Sequence, residues 1–202
     1  MLSIDDIALL FARHGAAQYS GEPVTQLEHA LQTALFAEQS GGTDALVSAC
    51  LLHDLGHLLH AHGPSASEYA DRSPEGMGPG LGRHGARAPQ GETPTLRGVD
   101  DTHQYYALPF LRGLVPEAVL EPIRLHVDAK RYLCSTDAGY YARLSDDSKR
   151  SLVLQGGPFD TAQAAAFLGQ PGAPDAVQLR QWDDSAKQAG LATPPLAHFL
   201  AR

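Results

Sequence analysis

The strongest constraint on the fold of this chain is the sequence LLHDLGH at residues 51–57. It completes an apolar run over residues 45–52, which must be buried when the chain folds. On one continuous helix, positions i and i+4 share a face, so His53 and His57 would reach one cavity while Asp54 turned toward a second centre. Burying an unpaired polar group costs roughly 1–3 kcal/mol, so three such side chains in five residues indicate a metal site rather than core histidines.

Composition narrows the function classes. A chain of 202 residues with 43% hydrophobic residues can bury one substantial core, so we expect a single domain over residues 1–202. No long apolar stretch or signal-like start is present, and Cys50 and Cys134 lie in apolar patterns, which together predict a cytoplasmic protein without a membrane partner. The formal net charge of −8 argues against a nucleic-acid partner.

Helical periodicity dominates the first sixty residues and predicts an all-α fold, since no alternating strand pattern is found. The first helix is expected over residues 3–13. Thr25 and Glu28 have the spacing of a capping box and predict a second helix that runs to about Ser40. A third helix is expected to continue from about residue 44, through the His53-Asp54 pair, to about His60.

The helical periodicity is interrupted after the first sixty residues. Residues 63–99 hold 8 of the 20 glycines and 5 of the 14 prolines, so we expect an extended loop there. Pro122 is expected in the first turn of a later helix that carries His126. The other helices of the second half are predicted at residues 101–113, 137–144, 146–154, 161–168 and 175–188, and the tail 191–202 lacks periodicity.

Six residues are candidate metal ligands. His29, the adjacent pair His53-Asp54 and the distant Asp183 occur in the order that is typical of the HD superfamily, in which helices of a bundle hold a metal. His103 and His126 each lie in a further predicted helix, and six mixed nitrogen and oxygen ligands are what a dinuclear site requires. Without thiolate, this donor set favours iron or manganese and argues against a structural zinc.

We therefore assign His29, His53, Asp54 and Asp183 to one ion. The second ion is assigned His103, His126 and the other oxygen of Asp54.

A closer resemblance covers most of the chain apart from residues 61–99 and the tail. The segments 19–29, 53–57, 126–133, 148–157 and 180–184 resemble the mixed-valence di-iron oxygenases of the HD superfamily that cleave phosphonates, the PhnZ and TmpB group, which is related to inositol oxygenase. The resemblance implies an HD-domain helical bundle with two iron ions, Fe(II) and Fe(III), and O2 as co-substrate. It also implies a small organophosphonate substrate.

The implied reaction oxidises a 1-hydroxyphosphonate at the carbon that bears phosphorus and releases phosphate and a carboxylate. The substrate nitrogen would be primary or trimethylated, which gives glycine or glycine betaine. A trimethylated nitrogen would favour aromatic faces, for which Tyr69, Tyr105, Tyr106 and Trp182 are available, although core and loop packing explains these aromatics equally well.

The resemblance also implies roles for individual side chains. Tyr19 and Glu22 would form a gate, in which the tyrosine holds the vacant iron position and the glutamate stabilises the closed loop or faces a cationic substrate nitrogen. Lys130 and Arg180, each one helical turn from a ligand, would pair with the phosphonate, with solvation at the surface as the alternative. Hydrogen bonds to the phosphonate would come from His57, Ser148 and Ser151.

Two other functions compete with this interpretation. An HD phosphohydrolase acting on a nucleotide or phosphate ester would share His29, His53, Asp54 and Asp183, but it would not need the additional histidines. A non-catalytic binding module would not need the six candidate ligands.

Overall fold

The structure is a computed structural model that describes residues 2–19, 21–62 and 95–202. Within these ranges the chain folds into α-helices without a β-strand, which confirms the predicted all-α class and agrees with an HD-type helical bundle. Residues 63–94 of the predicted glycine- and proline-rich loop lie outside the described residues. The part of that loop that is described contains one turn of 3-10 helix at Thr95–Arg97.

The helices of the described residues are short, apart from one central helix of 20 residues. In chain order they are α1 (Ile4–His14), α2 (Gln26–Gln39), α3 (Asp44–Leu52), α4 (Leu55–His62), α5 (His103–Tyr106), α6 (Leu108–Leu111), α7 (Glu117–Thr136), α8 (Tyr140–Arg143), α9 (Asp146–Leu154), α10 (Thr161–Leu168), α11 (Ala173–Ser185) and α12 (Leu196–Leu200).

Helix α2 begins at the predicted capping box. The Thr25 hydroxyl accepts a hydrogen bond from the Glu28 backbone N–H at 3.2 Å, and the Glu28 carboxylate accepts one from the Thr25 N–H at 2.7 Å. These two bonds satisfy backbone donors that a helix start leaves without partners. The box fixes where the first turn lies, and therefore where His29 points.

Helix α7 lies at the centre of the bundle. It contributes Ile123 to the largest hydrophobic cluster, which it forms with α1 to α4, α6, α11 and α12. It also contributes Leu125 to a second cluster with α10 and α11, and Leu133 to a third with α8 and α9. Because one helix joins the three clusters, the side chains that α7 carries are held against elements from both halves of the sequence.

The predicted continuous helix through the His53-Asp54 pair is wrong. Helix α3 ends at Leu52, His53 and Asp54 form a turn, and α4 begins at Leu55. The break brings α4 against α5, where a Cβ added at Gly56 would collide with the backbone carbonyl of His103. Glycine therefore permits the close approach that brings His103 to the same site as Asp54.

Pro122 does not open a helix, contrary to the prediction. The helix begins at Glu117, directly after Pro116, and Pro122 lies inside it. A proline at this depth removes one backbone hydrogen bond, but the neighbouring Leu120 and Ile123 are 3% and 0% exposed. Burial of these side chains on both sides of the proline keeps the segment helical.

Some of the other predicted helix boundaries agree with the structure and some do not. The bounds predicted for α9 and α10 are confirmed, whereas the helix predicted over residues 101–113 is divided into α5 and α6. Only Tyr140–Arg143 is helical in the region predicted as 137–144. The tail contains α12, in which one fully buried side chain, Phe199, anchors a short helix to the main core. None of the described helices combines the length and hydrophobicity that a bilayer crossing requires.

Candidate metal centre and substrate pocket

All six predicted ligands meet in one buried cluster at the centre of the bundle. Their relative exposures range from 0% to 7%. They come from five parts of the chain: α2 (His29), the turn after α3 (His53 and Asp54), α5 (His103), α7 (His126) and α11 (Asp183).

The first group consists of His29, His53 and Asp183, whose ligand atoms all lie within 4.8 Å of one another. The two imidazole Nε2 atoms are 3.2 Å apart. Oδ1 of Asp183 lies 3.4 Å from His29 Nε2, and Oδ2 lies 3.9 Å from His53 Nε2.

The second group consists of His103 and His126, whose Nε2 atoms are 3.0 Å apart. Oδ1 of Asp54 lies 3.3 Å and 3.6 Å from these two nitrogens, and it is 3.8 Å from Nε2 of His57. His57 is therefore close enough to join the second group, since the ligand atoms of Asp54, His57 and His103 all lie within 4.8 Å of one another. It does not share a helix face with His53, because the turn at residues 53 and 54 changes the direction of the chain.

Asp54 lies between the two groups. Its Oδ2 is 3.5 Å from His29 Nε2 and 3.4 Å from His53 Nε2, whereas its Oδ1 faces the second group. One carboxylate thus offers one oxygen to each pair of histidines.

The orientation of the imidazole rings fits metal binding. The Nδ1 atoms of His29, His53 and His126 lie 2.9, 2.8 and 2.7 Å from the backbone carbonyls of residues 186, 50 and 123. A carbonyl only accepts hydrogen bonds, so each Nδ1 carries a proton and each ring directs its Nε2 into the cluster.

In both histidine pairs, neutral rings would set two lone pairs against each other at 3.0 to 3.2 Å. A cation between the nitrogens turns this repulsion into attraction. In addition, Oδ1 of Asp183 is buried and has no hydrogen-bond partner among the described residues. These observations make the cluster a candidate metal-binding site.

The pKa values of the two histidines differ within each pair. Burial opposes the charge on His29, but Asp183 and Asp54 raise its pKa to about 9, and Asp101 and Asp54 likewise raise the pKa of His103 to about 10. Burial lowers the pKa of His53 and His126. In each pair, carboxylates favour positive charge on one ring, whereas burial favours the neutral form of the other.

Asp101 is a site residue that the sequence did not reveal. Its Oδ1 accepts a hydrogen bond from His103 Nδ1 at 2.9 Å, and its Oδ2 accepts one from His57 Nδ1 at 2.7 Å. The two rings stack with centroids 4.0 Å apart. One carboxylate therefore orients both imidazoles. Burial on its own would raise the pKa of Asp101, but the two histidines hold this pKa well below its usual range.

A pocket opens beside the second group, with an empty volume of about 630 Å3 that includes its mouth. All of the side chains predicted to serve catalysis or substrate binding line it: Tyr19, Glu22, His57, Lys130, Ser148, Ser151 and Arg180.

Lys130 is a buried cation in this pocket, with 3% exposure. Its Nζ donates a 2.7 Å hydrogen bond to Ser151 Oγ, and no carboxylate among the described residues lies within 4.0 Å of it. Burial, together with the charge of Arg180, lowers the Lys130 pKa to about 7. An anionic ligand would supply the counter-charge that Lys130 lacks.

Arg180 already has protein partners. Its Nη1 donates to Asp183 Oδ2 at 2.6 Å, its Nη2 bonds Asp184, and its Nε donates to the Tyr140 hydroxyl at 3.2 Å. Although burial would raise the pKa of Asp183, the guanidinium holds it well below its usual range. Arg180 thus orients a candidate ligand as well as lining the pocket.

The loop before α2 covers the first group. The Tyr19 hydroxyl donates a 2.8 Å hydrogen bond to Asp54 Oδ2, and its ring stacks on His29 with centroids 3.9 Å apart. Glu22, on the same loop, accepts a 3.1 Å hydrogen bond from Nζ of Lys187. Lys187 is a second pocket residue that the sequence did not reveal, since it follows the end of α11 without any pattern of its own.

Known proteins are similar to the chain over nearly its whole length, although no protein-family model matches it. It is 33% identical to a [1-hydroxy-2-(trimethylamino)ethyl]phosphonate dioxygenase (glycine-betaine-forming) of Leisingera caerulea, over 97% of this chain and 86% of the relative. It is 38% identical to a hydroxymethylphosphonate dioxygenase of Gimesia maris, over 94% of this chain and 81% of the relative. An uncharacterised protein of Acanthamoeba polyphaga mimivirus is 26% identical over 98% of this chain and 78% of the relative. Both named relatives are enzymes of one kind, so the chain belongs to the phosphonate dioxygenase family that its motifs resemble.

Proposed function

We propose that the protein cleaves the carbon–phosphorus bond of a 1-hydroxyphosphonate with O2. The carbon that bears phosphorus loses its hydrogen and its bond to phosphorus, and one O2 supplies both added oxygen atoms. The products are phosphate and a carboxylate, so the reaction balances without another reductant. The observation that carries the proposal is the position of Asp54 between two histidine pairs, next to a pocket with a buried cation.

The proposed cofactor is a pair of iron ions. His29, His53, Asp183 and Oδ2 of Asp54 would hold one ion, and His103, His126 and Oδ1 of Asp54 would hold the other. When bound, the pair would supply the redox chemistry that activates O2, which no side chain provides.

Lys130 and the two serines of α9 would bind the phosphonate. Ser148 and Ser151 lie one helical turn apart on the face of α9 that lines the pocket, and Ser151 already contacts the Lys130 ammonium. A phosphonate there would gain a charge-assisted hydrogen bond from Lys130. The hydroxyls and His57 would fix its orientation.

Tyr19 and Glu22 would control access to the metal. The Tyr19 hydroxyl bonds Asp54 Oδ2, and the loop that carries it is joined to the end of α11 through Glu22 and Lys187. Movement of this loop would expose the site to substrate, and its return would exclude water.

The alternative of an HD phosphohydrolase gains no support from the comparisons, because both named relatives are dioxygenases. A direct test uses iron-loaded protein with hydroxymethylphosphonate and with 1-hydroxy-2-(trimethylamino)ethylphosphonate, in air and without O2. We expect phosphate release from at least one of them only with O2. Hydrolysis of nucleotides with Mg2+ or Mn2+ and no O2 uptake with either phosphonate would overturn the proposal.

A further inference from the structure

Lys187 and Glu22 form an ion pair within the pocket. The Lys187 ammonium lies 3.1 Å from Glu22 Oε1 and 3.5 Å from the hydroxyls of Ser145 and Ser148. The two side chains are 12% and 14% exposed, so water screens this pair weakly. The pair connects the loop before α2 to the residues that follow α11.

The same ammonium lies on an aromatic face. Nζ of Lys187 is 5.8 Å from the centroid of the Tyr19 ring, within the range at which a cation is attracted by an aromatic quadrupole. A carboxylate and an aromatic face are the two features that recognise an alkylammonium group in a ligand. In this pocket, the Glu22 carboxylate and the Tyr19 ring both contact a cation of the protein itself, the Lys187 ammonium.

Other aromatic side chains do not provide a second place for a ligand cation within the described part of the pocket. Of the four aromatics considered for this purpose, Tyr69 lies outside the described residues. Tyr105 is 45% exposed, whereas Tyr106 and Trp182 pack against the main core. None of these three lines the pocket.

We infer that Lys187 determines substrate specificity: by neutralising Glu22 and occupying the Tyr19 face, it favours hydroxyphosphonates without a positive charge at C2. A substrate ammonium would have to displace Lys187 from a partly buried ion pair or lie beside it, and either costs binding free energy. A small uncharged group, or hydrogen alone, meets no such opposition. The inference rests on the proposed function and narrows its substrate class.

Two isosteric substrates isolate the effect of charge. In 2-amino-1-hydroxyethylphosphonate the C2 substituent is an ammonium, and in 1-hydroxypropylphosphonate it is a methyl group of similar size. Phosphate release gives kcat/KM for each substrate. The ratio of the two values does not depend on how much of a variant is folded and active, so partial unfolding cannot imitate a change in specificity.

The variants are Lys187→Met, Glu22→Gln and the double substitution, with Lys149→Met as the control, since Lys149 does not line the pocket. We expect the wild-type protein and the control to prefer the uncharged substrate. Lys187→Met should shift the ratio by about tenfold toward the ammonium substrate, because Glu22 is then unpaired. The double variant should lose this shift.

Several outcomes would overturn the inference. They are a wild-type preference for the ammonium substrate, a shift that persists in the double variant, and an unchanged ratio in Lys187→Met. A decrease in both kcat/KM values by the same factor leaves the ratio unchanged and therefore contradicts the inference as well. If phosphate is released but the ratio is unchanged, only this inference is contradicted. If the wild-type protein releases no phosphate from any hydroxyphosphonate in the presence of O2, the proposed function is contradicted as well.

Discussion

Oδ1 of Asp54 lies 3.3 Å from Nε2 of His103, although Asp54 directly follows His53, which belongs to the other pair of histidines. The turn between α3 and α4 makes this possible, because it allows Oδ2 of Asp54 to lie 3.4 Å from Nε2 of His53 while Oδ1 faces His103. A single side chain therefore connects the two candidate metal sites.

Asp54→Ala is expected to remove both metal ions. Each pair of histidines loses one oxygen, and the positive charges that remain are no longer separated by a carboxylate. Metal analysis of the iron-loaded protein should give about two ions per chain for the wild type and almost none for the variant. Asp175→Ala changes an exposed aspartate of α11 and should retain both ions. Two ions in Asp54→Ala would reject the bridging role.

Asp101→Asn should weaken the second metal site selectively. The carboxylate accepts N–H bonds from both His57 and His103, and an asparagine amide can accept only one of them well. Loss of a hydrogen bond that orients a ligand histidine typically reduces metal affinity by about 10- to 100-fold.

The measurement for Asp101→Asn is a titration of metal content against a chelator. One ion should be lost early, while the ion near His29 is retained. Asp100→Asn is the matched control, since Asp100 accepts its hydrogen bond from the Thr102 backbone instead. Equal retention of both ions in Asp101→Asn would contradict the assigned function of Asp101.

Phosphonate binding should weaken as the pH rises above about 7. The Lys130 pKa is lowered to about 7 from an ordinary value of 10.5, so the ammonium is charged below pH 7 and becomes neutral above it. The affinity should then fall by up to about tenfold per pH unit, measured as KM between pH 6.5 and 9.

Lys130→Arg separates this effect from titration of the substrate, because arginine stays charged throughout the range. The arginine variant should show a nearly constant KM where the wild-type KM rises. The same rise in both proteins would show that Lys130 does not control the pH dependence.

Thr25→Ala should destabilise the fold through helix α2. The substitution removes the hydroxyl that accepts the Glu28 N–H, at a cost of about 1 kcal/mol in the free energy of unfolding. For a chain of this size, the midpoint of thermal unfolding should fall by roughly 2–4 °C. Thr25→Ser preserves the hydroxyl and should stay within about 1 °C of the wild type. Equal stability of all three proteins would show that this cap contributes little.

Local features of the sequence were sufficient to predict many of the helices and their boundaries. The Thr25 capping box marks the start of α2, and the bounds predicted for α9 and α10 are observed, where Ser145 and Asp160 cap the first turns. The six candidate ligands could be selected because His29, His53-Asp54 and Asp183 occur in the order typical of the HD superfamily, and because His103 and His126 each lie in a further predicted helix.

Long-range contacts were not predictable in the same way. The apolar run before His53 is equally compatible with a continuous helix, and the break depends on the approach of Gly56 to the His103 carbonyl. Asp101 and Lys187 have no periodic pattern that distinguishes them from surface residues. Their partners lie in distant elements, so their roles emerge only when the chain is folded.

In the proposed enzyme, Asp54 joins two iron ions into one coupled centre. Electron paramagnetic resonance of the iron-loaded wild-type protein, together with metal analysis, reports directly on this coupling. We predict about two irons per chain and, after partial reduction, the spin-1/2 signal of a coupled Fe(II)/Fe(III) pair. One iron per chain with the signal of an isolated high-spin ferric ion would show that Asp54 does not bridge two ions.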